Sequence, residues 1–281
     1  MDQLDKVARL AAFADGTQGG NPAGVLIADV LPDAEEMQRI AAAVGYSETA
    51  FATPQGDGWR VRYFAPVGEV PFCGHATVAL GAALGQRFGP GAFALMTNAG
   101  AARVTAERDG QDWQAELTSP ATRHAAPEPG LVARAMELFG LTGGDLEEGS
   151  QPVVAHAGAD HLILTLRERR RLAQADYDLD AGAALMRDAG IVTISLIHVD
   201  GDGTVHSRNP FASGGVKEDP ATGAAAAALA GWWRDAGLRT GPIEILQGED
   251  MGMPSRLHAT ALPATGAGVR VAGRVREIAS A

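Results

Sequence analysis

Two stretches of this chain, about 146 residues apart, are written on one plan. The first runs Arg62-Tyr63-Phe64-Ala65-Pro66, then an irregular stretch, then Cys73-Gly74-His75-Ala76-Thr77 opening an alanine-rich helix. The second runs Arg208-Asn209-Pro210-Phe211-Ala212-Ser213, then Asp219-Pro220-Ala221-Thr222-Gly223 opening another. A strand, an irregular crossover and a helix used twice predict two similar lobes, and 281 residues are enough to build both. Coincidence between two alanine-rich helix starts is the alternative. The shared Phe-Ala, followed at nearly equal distance by a helix start, favours duplication.

Local patterning supplies the other elements. Val7 to Phe13, Ala23 to Ile27, Tyr46 to Ala52 and Arg60 to Phe64 read as strands. Asp33 caps a helix carrying Met37, Ile40, Ala41 and Val44 at helical spacing, with Glu36 placed for a capping box and Gly45 as its left-handed stop. Ala76 to Phe88, Leu131 to Phe139, Ala181 to Ala189 and Thr222 to Asp235 read as further helices. His161 to Leu166, Ile191 to Val199 and the valines 269, 271 and 275 read as strands. Three prolines between Ser119 and Gly130 predict a linker.

Composition removes several functional classes. Lys+Arg 23 against Asp+Glu 34 gives a net charge of −11 with no basic block, so nucleic acid is not an expected partner. The longest apolar run, Gly223 to Trp233, is short and mostly alanine, so no membrane span is expected, and no signal peptide is visible. One cysteine, Cys73, allows neither an internal disulfide nor a thiolate cage, and it fits a cytoplasmic setting. His156, His161, His198, His206 and His258 lack the spacing of a metal site, His124 falls in the linker, and no P-loop or dinucleotide fingerprint is present. The expectation is therefore no metal and no cofactor. Trp232 and Trp233 read as core or interface anchors.

Chemistry is expected where a helix begins, because its free N–H groups and positive dipole end attract a carboxylate. Gly74 and Gly223 would let a ligand approach the backbone. Asn21-Pro22-Ala23-Gly24-Val25, Ser47-Glu48-Thr49-Ala50-Phe51, Arg62 to Pro66, Gly74-His75-Ala76-Thr77 and Glu218 to Gly223 together resemble, in order, the signature blocks of the PhzF-like (phenazine-biosynthesis isomerase) family. Gln247-Gly248, Met251-Gly252 and Pro254-Ser255 resemble its late block. The resemblance implies the diaminopimelate-epimerase-like fold: an α/β protein of two similar lobes, each a mixed, mostly antiparallel sheet around a central helix, with the active-site cleft between them. The boundaries expected on that basis are 1–118 with 266–281 for the first lobe, 119–130 for the linker and 131–265 for the second. It also implies a homodimer acting on a small carboxylated substrate.

By the same resemblance Glu48 is the acid/base, and a buried carboxylate of raised pKa suits that work. His75 and Asp219 would contact substrate, with Gly74, Ala76, Gly223 and Ala224 binding it. Bland readings stand beside these: a solvated strand-edge carboxylate for Glu48, a first-turn packing residue for His75, and a helix N-cap followed by Pro220 at the first helical position for Asp219. Near a helix start the His75 imidazole is expected to be neutral. Two departures bear on substrate. Ala224 stands where the phenazine enzyme has a substrate-contacting serine, and Met253 where many members have arginine. Cys73 opens a rival reading, an epimerase or racemase using Cys73 with Asp219, although a two-thiol mechanism is excluded by count. A non-catalytic metabolite-binding or scaffold protein of the same fold is the third reading.

Overall fold

The computed structural model describes residues 3–279. It is a mixed α/β structure dividing into two compact units, the first running to Thr118 and resuming at Ala272, the second spanning Ser119–Val271.

The first unit contains β1 (Ala8–Ala12), β2 (Asn21–Ile27), α1 (Ala34–Val44), β3 (Glu48–Gln55), β4 (Gly58–Ala65), β5 (Gly68–Val70), α2 (Gly74–Phe88), β6 (Gly91–Thr97), β7 (Gly100–Asp109) and β8 (Asp112–Thr118). β1 pairs antiparallel with β2, β2 parallel with β3, and β3 antiparallel with β4. β4 takes the short β5 antiparallel and β6 parallel, and β6, β7 and β8 form an antiparallel meander. α1 begins where the Asp33 carboxylate accepts the Glu36 N–H at 2.9 Å and ends at Gly45, φ +74°, as its sequence predicts. Its apolar stripe, Met37, Ile40, Ala41 and Val44, packs with Leu26, Phe51 and Phe64 on the sheet.

α2 behaves differently. Every residue from His75 to Gly85 is buried, so this stretch has no solvent face before the exposed last turn, and the helix packs against strands β1, β2, β3, β6, β7 and β8. Alanine and glycine make this geometry accessible. A Cβ on Gly85 would stand 2.5 Å from the Trp113 ring, and one on Gly81 would stand 2.5 Å from a Val104 methyl.

The second unit follows with β9 (Arg123–Ala125), α3 (Leu131–Leu138), β10 (Val153–His156), β11 (Asp160–Thr165), α4 (Arg169–Ala173), α5 (Leu179–Asp188), β12 (Thr193–Val199), β13 (Val205–Phe211), β14 (Val216–Asp219), α6 (Gly223–Asp235), β15 (Ile243–Gln247) and β16 (Ser255–Ala261). Its pairings repeat those of the first unit: β10–β11 antiparallel, β11–β12 parallel, β12–β13 antiparallel, a short β14 antiparallel on β13, β13–β15 parallel, β15–β16 antiparallel. α6 occupies the same place in the order as α2, and it too is continuously buried, from Ala225 to Trp233. Helices α3 and α5 cover the other face of this sheet through Leu131, Ala135, Leu185 and Met186.

The 119–130 stretch is more than a linker. It contributes β9, which pairs with β10, because its prolines fall outside the three residues that make the ladder. The last strand, β17 (Val269–Glu277), returns to the first unit, where Leu10, Ala11 and Ala12 pair with Glu277, Arg276 and Val275. Among the described residues no helix is long and apolar enough to cross a membrane.

Candidate active site

In the first unit the backbone brings three expected residues together. Glu48 is the first residue of β3, directly beside Ala23 of β2. Cys73 is the N-cap of α2, with its side chain free of capping work, and His75 is the helix's second residue. His75 Nε2 lies 3.5 Å from Glu48 Oε2 and 3.3 Å from Ser47 Oγ, while its Nδ1 lies 3.4 Å from Cys73 Sγ. The side chains of Glu48 and His75 are 19% and 9% exposed, so the group is sheltered yet reachable. Glu48 is thus half-buried rather than fully enclosed.

Two residues not singled out as functional fix the helix start. The Thr77 hydroxyl donates to the Cys73 carbonyl at 2.6 Å, leaving Tyr63 O–H to donate to Thr77 Oγ1 at 2.6 Å. Burial holds the Tyr63 hydroxyl far above its ordinary pKa, so it stays a neutral donor. At Gly74 nothing but a Leu117 methyl, 4.0 Å away, would meet a Cβ. Space above the first turn is therefore open. Ala76 is fully buried and can offer a ligand only its N–H.

In the second unit Asp219 is not the helix cap. The helix begins at Gly223 with Thr222 as its N-cap, and Asp219 ends strand β14. Pro220 and Ala221 form the step between them, because Asp219 pairs with Asn209 in the ladder and cannot also leave it to cap. The Asp219 carboxylate instead accepts the Thr222 hydroxyl at 2.6 Å. Gln247, buried at the end of β15, completes the arrangement. Its Oε1 accepts the Thr222 N–H at 3.1 Å, and its amide donates to the Asp219 carbonyl at 2.7 Å and to Thr222 Oγ1 at 3.0 Å. Gly248 follows at φ +77°, where a Cβ would stand 2.8 Å from the Pro220 carbonyl, so a larger residue would push this step out of place. Gly223 and Ala224 then present the helix's first N–H groups.

A cavity of about 330 Å³ lies elsewhere in this unit, lined by Tyr177, Arg208, Lys217 and Glu218. Its charges are paired internally, Arg208 with Glu218 at 2.6 Å and Lys217 with Asp176 at 2.5 Å.

The same mixed order of strand pairings is used twice, and an acid, an imidazole and a thiol gather at one helix start. The sequence matches the model of the phenazine biosynthesis-like protein family over residues 10–277. The chain belongs to that family and is an isomerase. A Deinococcus radiodurans protein named an uncharacterized isomerase is 34% identical over 265 residues, covering 91% of this chain and 86% of its own. The trans-2,3-dihydro-3-hydroxyanthranilate isomerase of Pseudomonas aeruginosa is 33% identical, covering 92% and 90%. Among solved structures, a Bacillus anthracis phenazine biosynthesis protein of the PhzF family superposes with a TM-score of 0.84 at 24% identity, covering 97% of this chain and 96% of that one.

Proposed function

We propose that the protein is a cofactor-independent isomerase that moves a proton between two carbons of a small carboxylated metabolite, with Glu48 as acid and base. The observation that carries this is the Glu48 carboxylate, 3.5 Å from His75 at the start of α2 and partly open to solvent. Ionised Glu48 takes a proton as the substrate C–H bond breaks, and the electron pair passes into the substrate's adjacent unsaturation. The new carboxyl O–H then returns its proton to a second carbon, leaving Glu48 ionised again. His75 orients and polarises. N–H groups at Gly74 and Ala76 hold a substrate carboxylate, and Asp219 with Gly223 and Ala224 is proposed to bind substrate as the family resemblance implies.

The finer architecture, two similar lobes each wrapped on a central helix, belongs to the same proposal. It is supported by the repeated order of pairings and by the long continuously buried stretch in each of the two helices. A cytoplasmic homodimer is carried with it. The substrate class follows the Pseudomonas relative, but Ala224 lacks the hydroxyl of the family serine, which points to a substrate with a different hydroxyl pattern.

The test is solvent deuterium exchange into trans-2,3-dihydro-3-hydroxyanthranilate and related unsaturated or hydroxylated ring acids, followed by mass spectrometry. We expect exchange at one substrate carbon that drops by about 10² to 10⁴ in Glu48→Gln. Undiminished exchange in that variant would refute the assignment. A second reading has one observation in its favour, the Cys73 thiol 3.4 Å from His75 Nδ1, which would make Cys73 the base of an epimerase. It predicts enantiomer interconversion of an amino acid that disappears in Cys73→Ser, whereas the first reading predicts exchange that survives there.

A further inference from the structure

Glu48, Cys73 and His75 offer a carboxylate oxygen, a thiolate sulfur and an imidazole nitrogen whose donor atoms all lie within 4.8 Å of one another. We propose that this group is a binding site for a thiophilic divalent cation of the Zn²⁺ class, and that the bound ion holds the enzyme in an inactive form. Metal binding stands on the donor geometry alone; only the inhibition rests on the function proposed above.

The distances argue for it. Tetrahedral zinc with ordinary bond lengths sets an S···N edge of about 3.6 Å and an N···O edge of about 3.4 Å. Here His75 Nε2 lies 3.5 Å from Glu48 Oε2 and 4.0 Å from Cys73 Sγ, and the sulfur sits nearer Nδ1 at 3.4 Å, so the Cys73 side chain must swing round toward Nε2 for all three donors to share one ion. The ligand types suit a borderline-soft ion and not Mg²⁺ or Ca²⁺, which want oxygen shells. Three protein donors leave the fourth zinc position for water, and the exposed part of Glu48 gives a way in. The helix start opposes a cation but favours the thiolate that binds it. Binding forms an S–Zn bond and releases the thiol proton to solvent. Glu48 then coordinates the ion and is lost as a proton carrier.

The experiment adds ZnCl₂ or CoCl₂ to the purified, chelator-treated full chain. We expect one Zn²⁺ retained per chain on dialysis and, with Co²⁺, a near-ultraviolet thiolate-to-cobalt charge-transfer band. In Cys73→Ser the band should vanish and Zn²⁺ affinity fall by more than about 100-fold. In Glu48→Gln the band should persist with weakened affinity, which covers the case in which the cysteine variant folds poorly. Absence of the band in the wild-type chain overturns the proposal, because adventitious binding elsewhere, as at His198 and His206, which share Asp200 at 3.2 and 3.0 Å, would carry no thiolate signature. Unchanged zinc retention in Cys73→Ser overturns it too. If exchange activity is present but insensitive to stoichiometric Zn²⁺ while the band forms, the site stands and the inhibition falls. If no exchange activity is found at all, the band still decides the site.

Discussion

His161 is the buried titratable residue whose surroundings say most about how the second unit responds to acid. It is 1% exposed, its Nδ1 lies 2.7 Å from Thr193 Oγ1, and its Nε2 has no hydrogen-bond partner. Burial lowers its pKa to about 4, the nearby Asp160 charge opposing only in part. The unfolded chain takes up a proton near the ordinary value of 6.5, while the folded chain refuses it until about 4. Stability carried by neutral His161 is therefore intact above 6.5 and lost as pH falls through that window, by roughly 3 kcal/mol in all. Denaturant midpoints between pH 7 and 4.5 should fall more steeply for the wild type than for His161→Gln, and parallel curves would contradict this. Gln247 gives a second test at this scale. Gln247→Leu removes the acceptor of the Thr222 N–H and a donor to the Asp219 carbonyl, and should cost about 1–3 kcal/mol in equilibrium unfolding. The sequence names both residues, His161 as a histidine outside any metal spacing and Gln247 in a family block, but a lone histidine or glutamine reveals nothing of what it will touch. Glu48 and His75 were legible only through the resemblance; their contact joins residues 27 positions apart and follows from the packing of α2 beneath β3.

At the level of elements, capping chemistry was readable and sheet context was not. Asp33 and Gly45 bound α1 because a side-chain acceptor and a left-handed glycine act locally. The meander β6 to β8 went unread, since strands such as Gly91–Thr97 expose most of their residues and alternate weakly. The Thr222-to-Asp235 helix reading holds to within a residue, but the Asp219 cap and Pro220 first-turn reading does not, because Asp219 joins the strand ladder and Thr222 caps instead. The small residues of α2 yield the element-scale prediction. Gly85→Val must displace the Trp113 ring and Ala106, and overpacking of this kind costs about 1–3 kcal/mol. Gly74→Ala meets nothing nearer than 4.0 Å and should leave the thermal midpoint within a degree or two of wild type. Equal destabilisation by the two would mean that close strand approach does not govern α2.

For the whole molecule, the repeat was visible as two matching segments, and the structure extends it to the order of strand pairings. What the sequence could not carry was the parallel partnership of β2 with β3 or β13 with β15, because strands joined through a helix leave no short-range trace of which edge they will meet. The returning strand supplies the prediction at this scale. A chain ending at Gly268 loses β17 and leaves the β1 edge unpaired. Limited proteolysis should then release peptides from residues 8–118 early while 131–261 stay protected, and uniform protection would show that β17 is dispensable.

That same strand has a consequence for synthesis. A ribosome emitting 5–20 residues per second needs roughly 8–30 s to travel from the end of β8 to the end of β17. For that interval the nascent amino-terminal half must wait without its closing partner, while the inserted half, contiguous in the message, is free to mature first. Holdase chaperones should therefore find their binding window on the earlier-made segment, reversing the usual order in which what is translated first is finished first.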